Sequence, residues 1–369
     1  MQNFCENLLL DTLERPNCDF NSSHWDFPNV IWIRNSASEI SVKVLTLFPV
    51  VIFGIIANSA LLFIIFHHRS MRTSPTNILI ANMATADLLT LVICPLMFIL
   101  NDTYQNYQLG TVGCRTEGFL QGAFLITSVL NLCGISYDRL SAIVVPLVAN
   151  TRMTVKSTKI FVVISWITGS GLALPLIVYR NFVVRQWKNF TEKFCAENVA
   201  VLSIYWHIII ATLVWIPLIV MITSYVAIFL KLSHYEKQLL KRENPISVLH
   251  KKKITKVLFI LLVTFVFLRV PFTLLIFWRQ FKLQHATINQ ANGYFQFLWY
   301  ISHYLMFVNA AVNPVIYGLM NGNFKRAFAQ TSFCAGWKKT KLEDKRFIST
   351  EERKEVTLEP RDACVGSKL

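Results

Sequence analysis

CRTEGFLQGAFLITSVLNLCGISYDR, residues Cys114–Arg139, is the stretch whose reading decides the fold. As one α-helix it separates its end residues by roughly 38 Å, at about 1.5 Å per residue. A bilayer with its headgroups is about 40–45 Å thick. Cys114 and Arg139 are therefore expected near opposite faces of one membrane. Between them the segment is mostly apolar, yet Glu117, Gln121, Ser128, Asn131 and Ser136 are dotted along it. A lipid-facing helix has little use for so many polar groups, so this one reads as the central helix of a bundle.

The rest of the chain agrees with a membrane reading. Of 369 residues, 54% are hydrophobic and only 15% charged, with 28 Phe. Soluble domains carry about 25% charged residues. The apolar residues come in long blocks, which points to a multi-pass membrane protein. The net charge of +15 sits between and after those blocks, as inside-facing loops require, and so does not argue for nucleic acid. Eight Cys at unrelated spacings form no zinc or redox pattern.

Working outward, the spans are expected at about Lys43–His67, Thr76–Leu100, Cys114–Arg139, Ile160–Tyr179, Val199–Leu230, Ile254–Gln280 and Tyr294–Leu319. The fold class is an all-α membrane protein, a seven-helix bundle. Met1–Asn29 has no long apolar run, so no signal peptide is expected and the first span serves as the insertion signal. Residues 1–42 read as an extracellular tail. Sequons at Asn21, Asn101 and Asn189 all fall on that side and are glycosylation candidates. Cys5 and Cys18 share it, either as a pair or as two free thiols. Tyr179–Asn198 is polar and partly alternating, which suits a short outer hairpin. Lys231–Lys256 carries eight Lys/Arg against two Glu, the strongest inside marker. Residues 320–334 contain Asn323–Phe328, whose spacing suits an amphipathic helix on the membrane surface. Residues 335–369 read as a disordered cytoplasmic tail.

The ordered set of unusual residues resembles the rhodopsin-like G-protein-coupled receptors over about Leu45–Cys334. It comprises Asn58, Asp87-Leu88-Leu89, Cys114, Asp138-Arg139, Trp166, Cys195, Pro217 with Tyr225, Phe265 with Pro271, and Asn313-Pro314-Val315-Ile316-Tyr317. The resemblance implies a Cys114–Cys195 disulfide and a sodium ion or polar network at Asp87, Ser128, Asn309 and Asn313. A sodium ion is the only cofactor it suggests. It also implies that Asp138 holds Arg139 at rest, and that Arg139 is released toward a heterotrimeric G protein. Tyr225 and Tyr317 would complete the rearranged face. Pro217, Pro271 and Pro314 each remove a helix hydrogen bond and permit bending. By the same analogy Cys334 is a palmitoylation candidate, and Ser349, Thr350 and Thr357 are arrestin-recruiting phosphosites.

The chain also departs from that family's pattern. Leu140 follows Asp138-Arg139 where Tyr is usual, and Tyr107 stands where an outer-loop Trp is expected. Lys251 lies about where an acidic residue often locks the sixth helix, so measurable basal signalling is expected. Leu268-Arg269-Val270-Pro271 replaces Cys-Trp-x-Pro. Arg269 would lie roughly 16 Å below the outer end of its span, where a lone charge is expensive. Three partners are open: Asp87, displacing sodium; a carboxylate or carbonyl of a ligand above; or Asn309 and water.

Gln121 stands where receptors for biogenic amines carry an Asp, and Tyr294–Tyr317 contains no Lys for a retinal Schiff base. The ligand-site candidates are Gln121, Glu117, Arg269, Arg279, Trp299 and His303. With the long outer hairpin they suit an extracellular, amidated neuropeptide, and the end of the seventh span resembles receptors for RF-amide and neuropeptide Y-like peptides. An atypical receptor signalling without ligand is the near alternative. A transporter would show repeats or a path of charges, and neither is visible. No catalytic set occurs, so the chain does not read as an enzyme.

Overall fold

The computed structural model describes residues 22–28, 30–144, 153–211, 215, 218–219, 222–230, 259–261, 263–279, 293–320, 324 and 327. Asn21, Pro217, Lys251, Cys334, Ser349, Thr350, Thr357, Cys5 and Cys18, and the loop and tail segments around them, lie outside the described residues. The chain divides into two units, Met1–Met320 and Asn321–Leu369.

Helices α1 (Ala37–His67), α2 (Pro75–Thr103), α3 (Gly110–Val144) and α4 (Val155–Ala173) come first. A two-stranded hairpin follows, β1 (Arg180–Gln186) and β2 (Thr191–Glu197), and then α5 (Val199–Ile210). Residues 218–219 and 222–230 are again helical. Helix α6 covers Phe259–Arg279 and α7 covers Gly293–Met320. In the second unit Phe324 and Ala327 are helical, where the amphipathic helix was expected. Among the described residues, α1, α2, α3, α6 and the run from α4 to Val178 are long and apolar enough to cross a membrane. In lipid a helix satisfies its backbone polar groups within the segment, which is why apolar blocks of this length fold this way.

The helix ends follow local chemistry rather than hydropathy alone. Helix α1 starts at Ala37 instead of Lys43 because Ser36 caps it, accepting from the Glu39 N–H at 3.3 Å. Glu39 then pairs with Lys43 one turn on, at 2.6 Å. Helix α4 starts at Val155 because Thr154 and Ser157 form a capping box. It breaks at Leu174, before Pro175, and a single turn Pro175–Val178 completes the span. Helix α5 is capped by Asn198, which accepts from the Val201 N–H at 3.2 Å.

Helix α3 is central, as its polar residues require. Its apolar window is 56% buried, against 28% for α1 and 22% for α4. Polar groups inside the bundle pair with one another. Trp166 donates from Nε1 to Asn82 Oδ1 at 2.8 Å, and Asn82 donates from Nδ2 to Asn131 Oδ1 at 2.9 Å, joining α4, α2 and α3. Asn58 Nδ2 donates to the Ala310 carbonyl at 3.0 Å, tying α1 to α7. In hydrocarbon such bonds stand in for the hydrophobic drive that lipid removes.

The hairpin is antiparallel, with Arg180 opposite Glu197 and Phe182 opposite Cys195. The described part of the amino-terminal segment, expected to be an extracellular tail, is fastened at two places. Ser22 donates to the Gln186 carbonyl at 2.6 Å, and Lys188 N donates to the Trp25 carbonyl at 3.0 Å. Phe27 packs on Trp187 and Phe190 at the hairpin tip. Further on, Asn35 N donates to the Thr103 carbonyl and Trp32 N to Gln105 Oε1, at the end of α2 and just beyond it.

Candidate functional site

Three clusters of the expected residues can be built from these elements. The first lies at the Cys114 end of α3. Cys114 and Cys195 form a disulfide with 5.5 Å between their Cα atoms, fixing β2 to α3. One turn further into α3, Glu117 accepts two hydrogen bonds, from Asn101 Nδ2 at 2.8 Å and from the Tyr107 hydroxyl at 2.9 Å. Burial, and then the adjacent Glu117 carboxylate, push the Tyr107 hydroxyl above its usual range, so it remains a donor. The sequon at Asn101 reads differently here: its amide nitrogen faces Glu117, and a glycan would require it to leave. Asn189 sits in the hairpin turn, where its Oδ1 accepts from the Phe27 N–H at 2.8 Å.

Glu117, Gln121 and His303 line one cavity with Cys94, Met97, Phe98 and Phe307. Its volume of about 10 Å³ holds roughly one water. Gln121 donates from Nε2 to Met306 Sδ at 3.3 Å, a weak acceptor that leaves the amide open to a better one. His303 is buried, stacked on Phe98 at 4.4 Å, with Nδ1 against the Trp299 carbonyl at 2.9 Å. Trp299 packs on His303 at 4.7 Å. Arg279 and Arg269 are not among the cavity residues.

Arg279 is instead engaged with the hairpin. Its Nη1 lies 2.9 Å from Glu197 Oε2, while Arg180 Nη2 lies 3.0 Å from Oε1 of the same carboxylate. Burial would raise the pKa of Glu197. The charges of Arg279 and Arg180 outweigh burial and hold the carboxyl below its ordinary value. The latch joining α6 to β1 and β2 therefore stabilises the fold fully above the ordinary glutamate value of 4.5, and fades as pH falls through the lowered one. The melting temperatures of the unmodified protein and Glu197→Gln are expected to differ by a constant amount down to about pH 5 and to converge below it. A gap that persists in acid would contradict the latch.

The second cluster is deep in the bundle. Asp87 is buried, and its Oδ2 accepts from Asn313 Nδ2 at 2.8 Å. Ser128, also buried, lies beside this carboxylate. Asn309, one turn before Asn313, has a buried Oδ1 with no partner. Arg269 is only 4% exposed, and its Nε and Nη1 have no hydrogen-bond partner. The pair is close enough for their charges to attract, yet no ion pair joins them among the described residues. The oxygen donors alone would suit a sodium ion. The guanidinium does not: Asp87 is already matched by one fixed positive charge, and a second cation would leave net charge in a low-dielectric core. The residues present therefore do not fit a sodium ion.

The third cluster is at the Arg139 end of α3. Arg139 Nη2 lies 3.5 Å from Asp138 Oδ2. Thr76, at the start of α2, donates to Asp138 Oδ2 at 2.6 Å and accepts from Arg139 Nη2. Nothing in the sequence singled out Thr76. The Tyr225 hydroxyl is 3.2 Å from Ser136 Oγ, and the buried Tyr317 hydroxyl has no partner. Phe265, one turn before Arg269 on α6, lies under its guanidinium at 6.0 Å. Pro271 lies in α6 and Pro314 in α7.

A bundle of apolar helices carries a hairpin fixed to its third helix, a buried carboxylate in the second and an Asp-Arg pair near the end of the third. The family model of "7 transmembrane receptor (rhodopsin family)" matches residues 57–317, and the chain belongs to that family. It is a multi-pass plasma-membrane protein. It is 27% identical over 305 residues to neuropeptide FF receptor 2 of Mus musculus, covering 78% of this chain and 72% of that one. Neuropeptide Y receptor type 2 of Cavia porcellus is 25% identical, with 79% and 76% covered. Neuropeptide receptor 22 of Caenorhabditis elegans is 28% identical, with 73% and 64% covered.

Proposed function

We propose that this receptor binds an extracellular peptide with an amidated end at the Cys114 end of the bundle and signals through heterotrimeric G proteins. The observation that carries it is the convergence of Glu117, Gln121 and His303 on one cavity beside a disulfide-fixed hairpin. The neuropeptide receptors among its relatives support the peptide class. Glu117 supplies a negative charge for a cationic side chain, and the weakly held Gln121 amide can exchange hydrogen bonds with a terminal amide. The cavity holds about one water, so a ligand group that reaches Gln121 takes the place of that water and widens the cavity.

The amino terminus and hairpin face outward, because the Cys114–Cys195 disulfide needs an oxidising compartment. The carboxyl terminus then faces the cytoplasm, with Arg139 beside the G protein, Cys334 for palmitoylation and Ser349, Thr350 and Thr357 for arrestin.

Screening amidated peptides and their free acids on receptor-expressing cells, with calcium and cyclic-AMP readouts, tests this reading. The amide is expected to be roughly tenfold more potent, the worth of about one well-made hydrogen bond. Gln121→Leu is expected to erase that ratio. An unchanged ratio in Gln121→Leu would move the amide elsewhere, and silence to every peptide would remove the ligand class.

A further inference from the structure

We propose that Arg269 is the resident cation of the deep polar cluster. The receptor holds no sodium there, and α6 is tied to Asp87 on α2 by charge acting through buried water.

The first ground is electroneutrality. Asp87 is the acidic residue of the cluster, and its carboxylate accepts a hydrogen bond from Asn313 with Ser128 buried beside it. Arg269 stays protonated in any protein setting, and its charge reaches Asp87. With Asp87 ionised, the cluster is neutral as it stands. A sodium ion would add a charge with nothing to balance it, in a buried region that bulk solvent and salt do not screen.

The second ground is hydrogen-bond accounting. Two buried donors of Arg269, Nε and Nη1, lack partners, as does the acceptor Oδ1 of Asn309. Buried polar groups left unpaired are expensive, so ordered water between donor and acceptor groups is the expected remedy. The guanidinium thus claims the charge a metal ion would have matched.

Melting of the purified full-length receptor, in sodium chloride against choline chloride at equal ionic strength, tests this without any ligand. The unmodified receptor is expected to melt at the same temperature in both salts. Arg269→Gln removes the fixed charge and is expected to gain a sodium-specific rise of roughly 2–4 °C, the shift for about tenfold saturation in a domain of this size. The rise should vanish in the Arg269→Gln, Asp87→Asn double variant. If Arg269→Gln does not fold, Asp87→Asn alone decides: it strands Arg269 and should lower melting equally in both salts. Sodium-specific stabilisation of the unmodified receptor, lost in Asp87→Asn, overturns the proposal. So does a folded Arg269→Gln that ignores sodium.

Discussion

Arg139→Ala is expected to leave the receptor folded and able to bind peptide, but to cut G-protein nucleotide exchange by at least about tenfold, a loss of about 1.4 kcal/mol or more in the activated complex. The reason lies in how Arg139 is held. Its Nη2 contacts Asp138 and the Thr76 hydroxyl, while its Nε is buried without a partner. The resting contacts therefore satisfy only part of the guanidinium. A partner that presents carbonyl groups at this end of α3 can offer the missing acceptors, and Arg can meet several of them at once. Removing the side chain removes that gain at a partly buried residue that is not one of the core residues. Thr76→Val separates this from simple destabilisation. It deletes the hydroxyl that Arg139 and Asp138 share, so basal exchange should rise while Arg139→Ala falls. Exchange unchanged in purified Arg139→Ala would end the argument.

That contrast shows what could be read from one sequence. Spans, their order and the central place of α3 follow from hydropathy and from polar residues within an apolar run, because lipid imposes one local rule on every span. The hairpin follows from alternation between Tyr179 and Asn198. The disulfide and the Asp-Arg pair came with the family resemblance. Thr76 was invisible because its partners stand far along the chain and its own surroundings read as an ordinary helix start behind Pro75. Arg180, the second cation on Glu197, was missed for the same reason. Asn101 carried a local sequon, and only the fold turns its amide toward Glu117. The docking of Ser22–Phe27 on the hairpin likewise depends on backbone bonds that no periodicity announces. Arg269 was legible as an anomaly, since a charge inside a span demands an explanation. Asp87 was among its three open partners, but the absence of an ion pair between them among the described residues was not legible.

Gly169→Ala and Gly171→Ala, two residues apart on α4, are expected to move stability in opposite directions. A Cβ on Gly169 would stand 2.4 Å from Thr127 Oγ1 and 2.9 Å from the Ala123 carbonyl oxygen, both on α3. Neither neighbour can yield cheaply. The Thr127 hydroxyl donates to the Ser165 carbonyl at 3.3 Å, and the carbonyl oxygen belongs to the helix backbone. The helices must part, loosening the adjacent Trp166–Asn82–Asn131 bonds as well. Overpacking of this kind costs about 1–3 kcal/mol, so melting should fall by roughly 2–5 °C. At Gly171 a Cβ meets nothing within 4 Å, and the better helix propensity of Ala should raise melting by roughly 1–2 °C. Backbone entropy changes alike at both sites, so a difference in sign can come only from the close seam between α3 and α4. Shifts of the same sign would mean that the seam is not where the structure puts it.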